Sequence, residues 1–594
     1  MYRAPLRELR FVLHELVGDQ SLASLPSLAD YSAEVADSVL EQAAKFAEDI
    51  LAPINRLGDL AGAKWTADGV LMPAQFKAAY AQFAADGWTQ LRASSEYGGQ
   101  DAPTVLGTAV EELWASANLA FKLCPMLTQG AIEAIERCGS REQKQKYLPK
   151  LVSGEWTGTM NLTESQAGSD LGAIRTRAAR DGEQFRLFGQ KIFITYGDHD
   201  YVANTIHMVL ARIDGAPAGT KGISLFIVPK VLVNDDGSLG ARNDVRCVSI
   251  EHKLGIHASP TCVLAYGDRE GAVGYLVGEE NRGLEYMFIM MNAARLSVGL
   301  EGYALAERAY QQALSWARER VQGRPGGKAK PATGKSLPIA YHPDVKRMLF
   351  TMKATTDAAR AIALYASLQL DIAKHHADEA VRAAALARGD LLIPIVKGWS
   401  TEIGVTMTSM GIQVHGGMGF IEETGAAQFL RDARITTIYE GTTGIQANDL
   451  LGRKVARDAG AAMTELIDEM QADLEALGTA DEEVSRVSRG ALAAVNELRQ
   501  VTGSLLRSYG QSPESALGAA VPYLTSCGLV IGGWLMAKSY AIAVRKAAEE
   551  PEFYRAKQQI ARCFVEQVLP ESRALAQIIT DGGGSILDAD PALL

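Results

Sequence analysis

The hydrophobic period of this chain changes twice, and each change marks a change of architecture. Over residues 32–150 apolar positions recur at helical spacing, as at Leu40, Ala44, Phe46, Ile50 and Leu51. Over 157–278 the period shortens. Lys191-Ile192-Phe193-Ile194-Thr195 and the runs 205–211, 223–228, 245–250 and 262–265 are β-rich. Turn residues at Asp198, Asp214-Gly215 and Asp236-Gly237 separate them, which predicts an antiparallel sheet or small barrel. After Gly283 the helical period returns over 286–321, 343–375, 379–397 and 400–413, a four-helix layout. Beyond Arg453 the chain reads as helical to about 579, with breaks at Gly510-Gln511-Ser512-Pro513 and Glu550-Pro551. The expected fold is α+β and mostly α. It comprises an arm (1–34), an N-terminal helical domain (35–156), a central antiparallel β-sheet or barrel domain (157–278), and a C-terminal four-helix bundle (279–454). An extra C-terminal helical domain (455–580) and a loose tail (581–594) follow.

At 594 residues the chain exceeds what one core supports. A net charge of −11 argues against a general binder of nucleic-acid backbones. The cysteines (Cys124, Cys138, Cys247, Cys262, Cys527, Cys563) form no CxxC pair and read as reduced thiols of a reducing compartment, which places the chain in the cytoplasm. No metal-ligand constellation emerges, since the adjacent His375 and His376 would point about 100° apart on a helix. The first residues carry arginines interleaved with Glu8 and Glu15 and lack the apolar core of a secretory signal. Residues 515–537 carry no formal charge and are long enough to span a bilayer. Pro522 and the small residues at the centre of this stretch favour a buried bundle helix over a membrane span.

Four segments hold candidate chemistry. In Ile438-Tyr439-Glu440-Gly441-Thr442 a carboxylate precedes a glycine and the capping types Thr442 and Thr443, ahead of a helix over 444–451. Walled by Ile438 and Tyr439, Glu440 would have its pKa raised by desolvation and act as a proton acceptor; as a lone Glu it reads more readily as a capping or solvated residue. The loop Met160-Asn161-Leu162-Thr163-Glu164-Ser165-Gln166-Ala167-Gly168-Ser169-Asp170 either lets backbone N–H groups approach a flat polar ligand or caps a strand. Gly189-Gln190-Lys191-Ile192-Phe193-Ile194-Thr195 puts an aromatic and a hydroxyl on one strand face. In Gln413-Val414-His415-Gly416-Gly417-Met418-Gly419-Phe420 the glycines either end a helix or admit a pyrophosphate to backbone amides. The segment follows no strand and is not a dinucleotide-binding fingerprint.

In this order, between helical flanks, the four segments resemble the acyl-CoA dehydrogenase superfamily of FAD flavoproteins. Glu96-Tyr97-Gly98-Gly99-Gln100, His252-Lys253-Leu254-Gly255 and Asn281-Arg282-Gly283-Leu284 fit the same pattern. So does the long helix bearing Asn292-Ala293-Ala294-Arg295 and ending Ala317-Arg318-Glu319-Arg320. The resemblance spans 35–454. The arm, Tyr341-His342-Pro343-Asp344-Val345 and the extra C-terminal helices are similar to the larger subgroup that includes the 3-methylmercaptopropionyl-CoA dehydrogenases.

The resemblance implies that Glu440 removes the α-proton of an acyl-CoA thioester while a β-hydride passes to N5 of FAD, giving a trans-2-enoyl-CoA. Short to medium or 3-methylmercaptopropionyl-type chains are the implied substrates, and electron-transfer flavoprotein the implied electron acceptor. The backbone N–H of Glu440 and a ribityl hydroxyl of FAD would polarise the thioester carbonyl. Leu162, Thr163, Gly168, Ser169, Phe193, Thr195 and Thr442 match cofactor-binding positions. Arg320, Gln413, Gly416 and Gly417 match residues that reach the FAD of a neighbouring subunit, which implies a homodimer. Ser169, Arg295, Tyr439 and Gly441 match the substrate side. Departures are Phe193 where many relatives have Trp, Val321-Gln322 where relatives often have Phe-Gly, Gly444 at a commonly polar position, and Asn292 in place of an acidic partner of Arg295. The insertion 323–338 carries Arg324, Lys328, Lys330 and Lys335, either for CoA phosphates or as a solvated loop. Alternatives are an acyl-CoA oxidase using oxygen and a DNA-binding flavoprotein of the same fold; the acidic balance disfavours the latter.

Overall fold

Asn118 divides a stretch that reads as one apolar helix over 110–123. Its backbone is extended (φ −161°) and its side chain accepts from the Phe121 N–H, so Thr104–Ala117 ends there and Leu119–Cys138 begins. The computed structural model describes residues 2–18, 25–28, 30–324, 336–479 and 481–593, which leaves Lys328, Lys330 and Lys335 of the insertion outside the described residues. The chain forms two compact units, one of Met1–Ala44, Thr104–Ser116 and Val298–Leu594, the other of Lys45–Pro103 and Ala117–Ser297.

The second unit holds all the named strands. A hairpin of β1 (Lys64–Thr66) and β2 (Gly69–Leu71), missed in the helical reading of 35–156, stands apart from the main sheet. The main sheet uses β3 (Thr157–Asn161), β4 (Arg177–Asp181), β5 (Gln184–Thr195), β6 (Thr205–Ile213) and β7 (Ile223–Pro229). A small pair, β8 (Val231–Val233) and β9 (Leu239–Arg242), precedes the sheet's last strands, β10 (Val245–Ile250), β11 (Thr261–Tyr266) and β12 (Ala272–Leu276). The order is β10-β11-β5-β12-β7-β6-β3, with β4 alongside β5 and β6. The expected antiparallel sheet is therefore a mixed one, because β3 and β4 each run parallel to β6. The excursion through β4 and β5 returns the chain in its original direction, which no two-residue hairpin does. Long strand β5 changes partner along its length, from β4 and β12 near Phe185 to β11 beyond Gly189. Leu119–Cys138 packs on β3 so closely that a Cβ on Gly158 would lie 2.4 Å from the Ala131 Cβ.

In the first unit the expected helices over 379–397 and 400–413 are one continuous helix, Glu379–His415. Pro394, Gly398 and Ser400 suggest a break, but residues 391–401 are all buried and the Thr401 hydroxyl turns back onto the Lys397 carbonyl at 2.7 Å. Burial of the whole segment overrides its weak local propensity. The helices Gly283–Glu319 and Glu379–His415 cross at backbone contact: a Cβ on Gly302 would sit 2.0 Å from the Ser400 carbonyl oxygen, and one on Gly404 2.6 Å from that of Gly302. Ala520–Arg545 is apolar and long enough to cross a membrane, yet 83% of its most apolar window is buried among the helices of this unit. The residues read as a loose tail include two exposed helical turns, Gly583–Leu587 and Pro591–Leu593.

A buried ion cluster ties this unit together. Arg360, wholly inaccessible, donates to Glu112 at 2.7 and 2.9 Å, to Glu307 at 2.9 Å and to Asp357 at 2.7 Å. Asp357 also takes Lys353 and Lys557, each at 2.9 Å, and Glu8 of the N-terminal arm pairs with both lysines. Burial pushes the Glu112 carboxyl up even against the Arg360 charge, whereas burial is outweighed at Glu307 by Lys353 and Arg360. Arg360→Met takes from buried Glu112 the cation that it pairs with and leaves Glu307 and Asp357 to the lysines, and we expect it to lower stability by about 3–5 kcal/mol. Glu112→Gln, at a carboxyl whose ionised form burial disfavours, costs less. Urea midpoints of the two variants check this ordering.

Candidate active site

The loop after β3 is organised around Glu164. Its carboxylate accepts from Lys191 Nζ at 2.9 Å, the Thr176 hydroxyl at 2.6 Å and N–H at 3.0 Å, and the Arg175 N–H at 2.7 Å. Lys191, 0% exposed, also donates to the Leu162 carbonyl at 2.8 Å, and the Ile192 N–H donates to the Thr163 carbonyl at 2.9 Å. Leu162 and Thr163 are thereby fixed against β5. Glu164 and Ala167 exchange backbone hydrogen bonds at 3.0 Å, closing a tight turn over Ser165 and Gln166, after which Gly168 and Ser169 are exposed. Burial alone would raise the Glu164 carboxyl, but Lys191, Thr176 and Arg175 together hold it down at about 2.

Phe193 lies on a bulge in β5. Ile194 pairs with Cys262 and Lys191 with Leu264, so β5 carries one residue more than β11 between these pairs. Strict alternation from buried Lys191 would turn Phe193 inward; the extra residue turns it outward, at φ +59° and 59% exposed. Thr195, half-buried, keeps the same face two residues on, and its carbonyl takes the Thr159 hydroxyl at 2.7 Å. A bulky residue at positive φ stores strain of roughly 1–3 kcal/mol. Tyr196, also at positive φ, anchors the strand end by donating its hydroxyl to the Ala120 carbonyl at 2.7 Å.

In the first unit, Glu440 stands at φ +54° and is followed by Gly441 at +90°. The glycine is required, because a Cβ there would lie 2.7 Å from Gln446 Nε2. Thr442 caps Thr443–Asn448 by accepting from the Ile445 N–H, the helix start that its residue type predicts. Glu440 is half-buried, but Ile438 is 46% exposed and does not wall it as expected. Tyr439 does: its hydroxyl donates to the buried carboxylate of Glu301, and its phenol is pushed up by burial and by the charges of Glu301 and Glu440. Lys397 Nζ donates to the Gly441 carbonyl at 2.5 Å and Gln446 Nε2 to the Glu440 carbonyl at 3.1 Å.

A second cluster of this unit gathers the ends of two helices. Trp316 stacks on His415 with ring centres 5.5 Å apart, and the Arg320 guanidinium lies 5.9 Å from the Trp316 ring. Arg320, Gln413, Gly416 and Gly417 are all exposed, and no heavy atom lies within 4 Å of a Cβ built on either glycine. Gly416 takes φ +62° and ψ −143°, which only glycine adopts readily, so it is not a simple left-handed cap. Arg295 is buried in the other unit, in the part of Gly283–Glu319 that precedes Val298. Sequence reasoning missed Glu301, Lys397 and Gln446. A lone lysine after the apolar run 391–396 was the one available signal.

The acyl-CoA dehydrogenase N-terminal, middle and C-terminal domain models match residues 34–155, 159–268 and 281–455, and an acetyl-CoA dehydrogenase C-terminal-like model matches 466–590. The chain belongs to the acyl-CoA dehydrogenase family and is an oxidoreductase of that class. It is 46% identical to the 3-methylmercaptopropionyl-CoA dehydrogenase of Ruegeria pomeroyi, over 99% of both chains. Among solved structures, an acyl-CoA dehydrogenase from Bacillus anthracis complexed with FAD superposes with a TM-score of 0.75 at 22% identity, covering 100% of this chain and 94% of that one. ACDH-11 of Caenorhabditis elegans, in complex with C11-CoA, gives 0.76 at 19% identity over 98% and 96% of the two chains.

Because the Glu164 carboxyl is held at about 2 when folded, below its ordinary 4.5, its stabilising effect is present above about pH 4.5 and lost as the pH falls toward 2. The expected gap in stability between the wild type and Glu164→Gln is on the order of 2 kcal/mol at neutral pH, allowing for solvent screening. Urea unfolding at stepped pH should show that gap closing on acidification.

Proposed function

We propose that this chain oxidises short acyl-CoA thioesters, 3-methylmercaptopropionyl-CoA among them, to the trans-2-enoyl-CoA, with Glu440 as the base. The observation that carries this reading is a carboxylate in a strained left-handed turn whose two carbonyls are gripped by buried donors. Such strain persists only where surrounding groups over-determine it. Near full-length similarity to the Ruegeria pomeroyi enzyme, C-terminal helices included, supports the substrate class.

The residues present fit FAD. Phe193 offers an exposed ring face, Leu162 and Thr163 hold backbone fixed against the same strand, and Gly168 and Ser169 are exposed beyond the turn. Thr195 adds a hydroxyl. Arg320 and Gln413, with the uncrowded backbone of Gly416 and Gly417, suit the phosphates of a dinucleotide held by a second subunit, which makes the active form a homodimer. When bound, FAD supplies the acceptor for the β-hydride. The chain's part is to hold the thioester with Tyr439 and Gly441, to polarise its carbonyl with the Glu440 N–H, and to take the α-proton on the Glu440 carboxylate. An electron-transfer flavoprotein in the cytoplasm then removes the electrons.

Anaerobic titration with an acyl-CoA panel, followed by flavin absorbance, tests this reading. We expect bleaching with short chains and with 3-methylmercaptopropionyl-CoA, and a loss of about 10²–10⁴-fold in rate for Glu440→Gln. A bound flavin that no acyl-CoA reduces would overturn it. Phe193→Ala should weaken FAD retention on gel filtration by about tenfold, the worth of one aromatic stacking contact.

A further inference from the structure

The turn that carries Glu440 is gripped at four consecutive or near-consecutive positions. Tyr439 donates its hydroxyl to Glu301, the Glu440 carbonyl takes Gln446 Nε2 at 3.1 Å, and the Gly441 carbonyl takes Lys397 Nζ at 2.5 Å. Thr443 donates its hydroxyl to Glu402 at 2.5 Å. Lys397 and Glu402 both belong to Glu379–His415, five residues apart, so one helix holds the turn at two points about 7.5 Å apart along its axis. That helix is itself seated by backbone contact between Gly302 and Ser400, next to Glu301.

Lys397 and Gln446 are 0% exposed. A buried ammonium is costly to desolvate, and a neutral side chain of equal length would fill the same volume. Directing that cation at the carbonyl of Gly441 fixes the peptide plane between Gly441 and Thr442. Gln446 fixes the plane between Glu440 and Gly441 by donating to the Glu440 carbonyl, and its amide nitrogen also reaches the Gly441 carbonyl at 3.4 Å. With both planes fixed, the φ and ψ of Gly441 are set and with them the peptide plane on the C-terminal side of Glu440, while Tyr439, held on Glu301, restrains the residue before it.

We infer that Lys397 is a positioning residue for proton abstraction, acting with Gln446 through the backbone of the Glu440 turn; the inference rests on Glu440 being the base. Lys397 touches neither substrate nor flavin in this role. Its effect appears in the chemical step and not in acyl-CoA binding.

The test uses the FAD-loaded full-length enzyme and compares Lys397→Met, Lys397→Arg and Gln446→Met, each also combined with Glu440→Gln. Lys397→Met should reduce the rate of flavin reduction at saturating acyl-CoA by about 10–100-fold, as a small misplacement of a reacting group does. The KM should change less than about threefold against that fall in kcat, FAD content should stay full, and the isotope effect from α-deuterated acyl-CoA should rise. Lys397→Arg, which keeps a cationic donor, should recover part of the rate, and Lys397→Met should add no further loss when Glu440 is already Gln. Unchanged reduction per bound flavin, or a loss that multiplies fully with that of Glu440→Gln, would overturn the inference. Should Lys397→Met fail to fold, Gln446→Met carries the same cycle from the other side of the turn. A wild type that binds FAD but is reduced by no acyl-CoA overturns the reading of Glu440 as base, and the clamp with it.

Discussion

Arg360 sits out of reach of water with three carboxylates around it, and the first unit is arranged so that this charge is answered. Glu112 comes from Thr104–Ala117, Glu307 from Gly283–Glu319 and Asp357 from the same helix as Arg360. Lys353, Lys557 and Glu8 extend the cluster to Pro551–Cys563 and the N-terminal arm. Apolar packing tolerates small slips, but a buried ion pair does not, because each displaced partner leaves an uncompensated charge. The register of these segments against one another is therefore set by hydrogen-bond geometry at one place. The apolar cluster of Ala306, Ala309, Ala313, Met348, Leu349 and Met407 fills in around it.

The residues to which we assign function in our proposal break the local rules. Phe193 and Glu440 are non-glycine residues in left-handed backbone, and each is held there by buried polar groups. At Phe193 the hold is the Lys191–Glu164 pair and the bulge; at Glu440 it is Lys397, Gln446 and the Tyr439–Glu301 bond. Both devices convert side-chain hydrogen bonds into backbone direction, which suits an enzyme whose work is orientation in a dry site. The strain and the buried charges cost stability that the helical packing elsewhere supplies.

Several elements were legible before the fold was known. The change of period located the sheet, the Gly215 and Gly237 turns adopt the positive φ that their residue type invites, and Thr442 caps the helix its sequence announces. Other elements were not. Asn118 is one polar residue in an apolar run, and its capping role depends on an extended backbone at that one position, which the run does not encode. Pro394 and Gly398 read as a helix break, yet burial on all sides keeps Glu379–His415 continuous. The bulge at Phe193 is invisible to alternation, since it exists only relative to the partner strand β11.

The sequence by itself determined the succession of helical, β and helical segments, the candidate base and the glycines around it, because period, capping type and glycine content are local quantities. Only the tertiary structure decided that β3 and β4 run parallel to β6, that Phe193 faces outward, and that Lys397, Gln446 and Glu301 converge on the Glu440 turn. The physical reason is separation along the chain. Glu301 and Tyr439 lie 138 residues apart and Lys397 and Gly441 lie 44 apart, so their pairing follows from how closely two helices approach at Gly302 and not from any pattern within either.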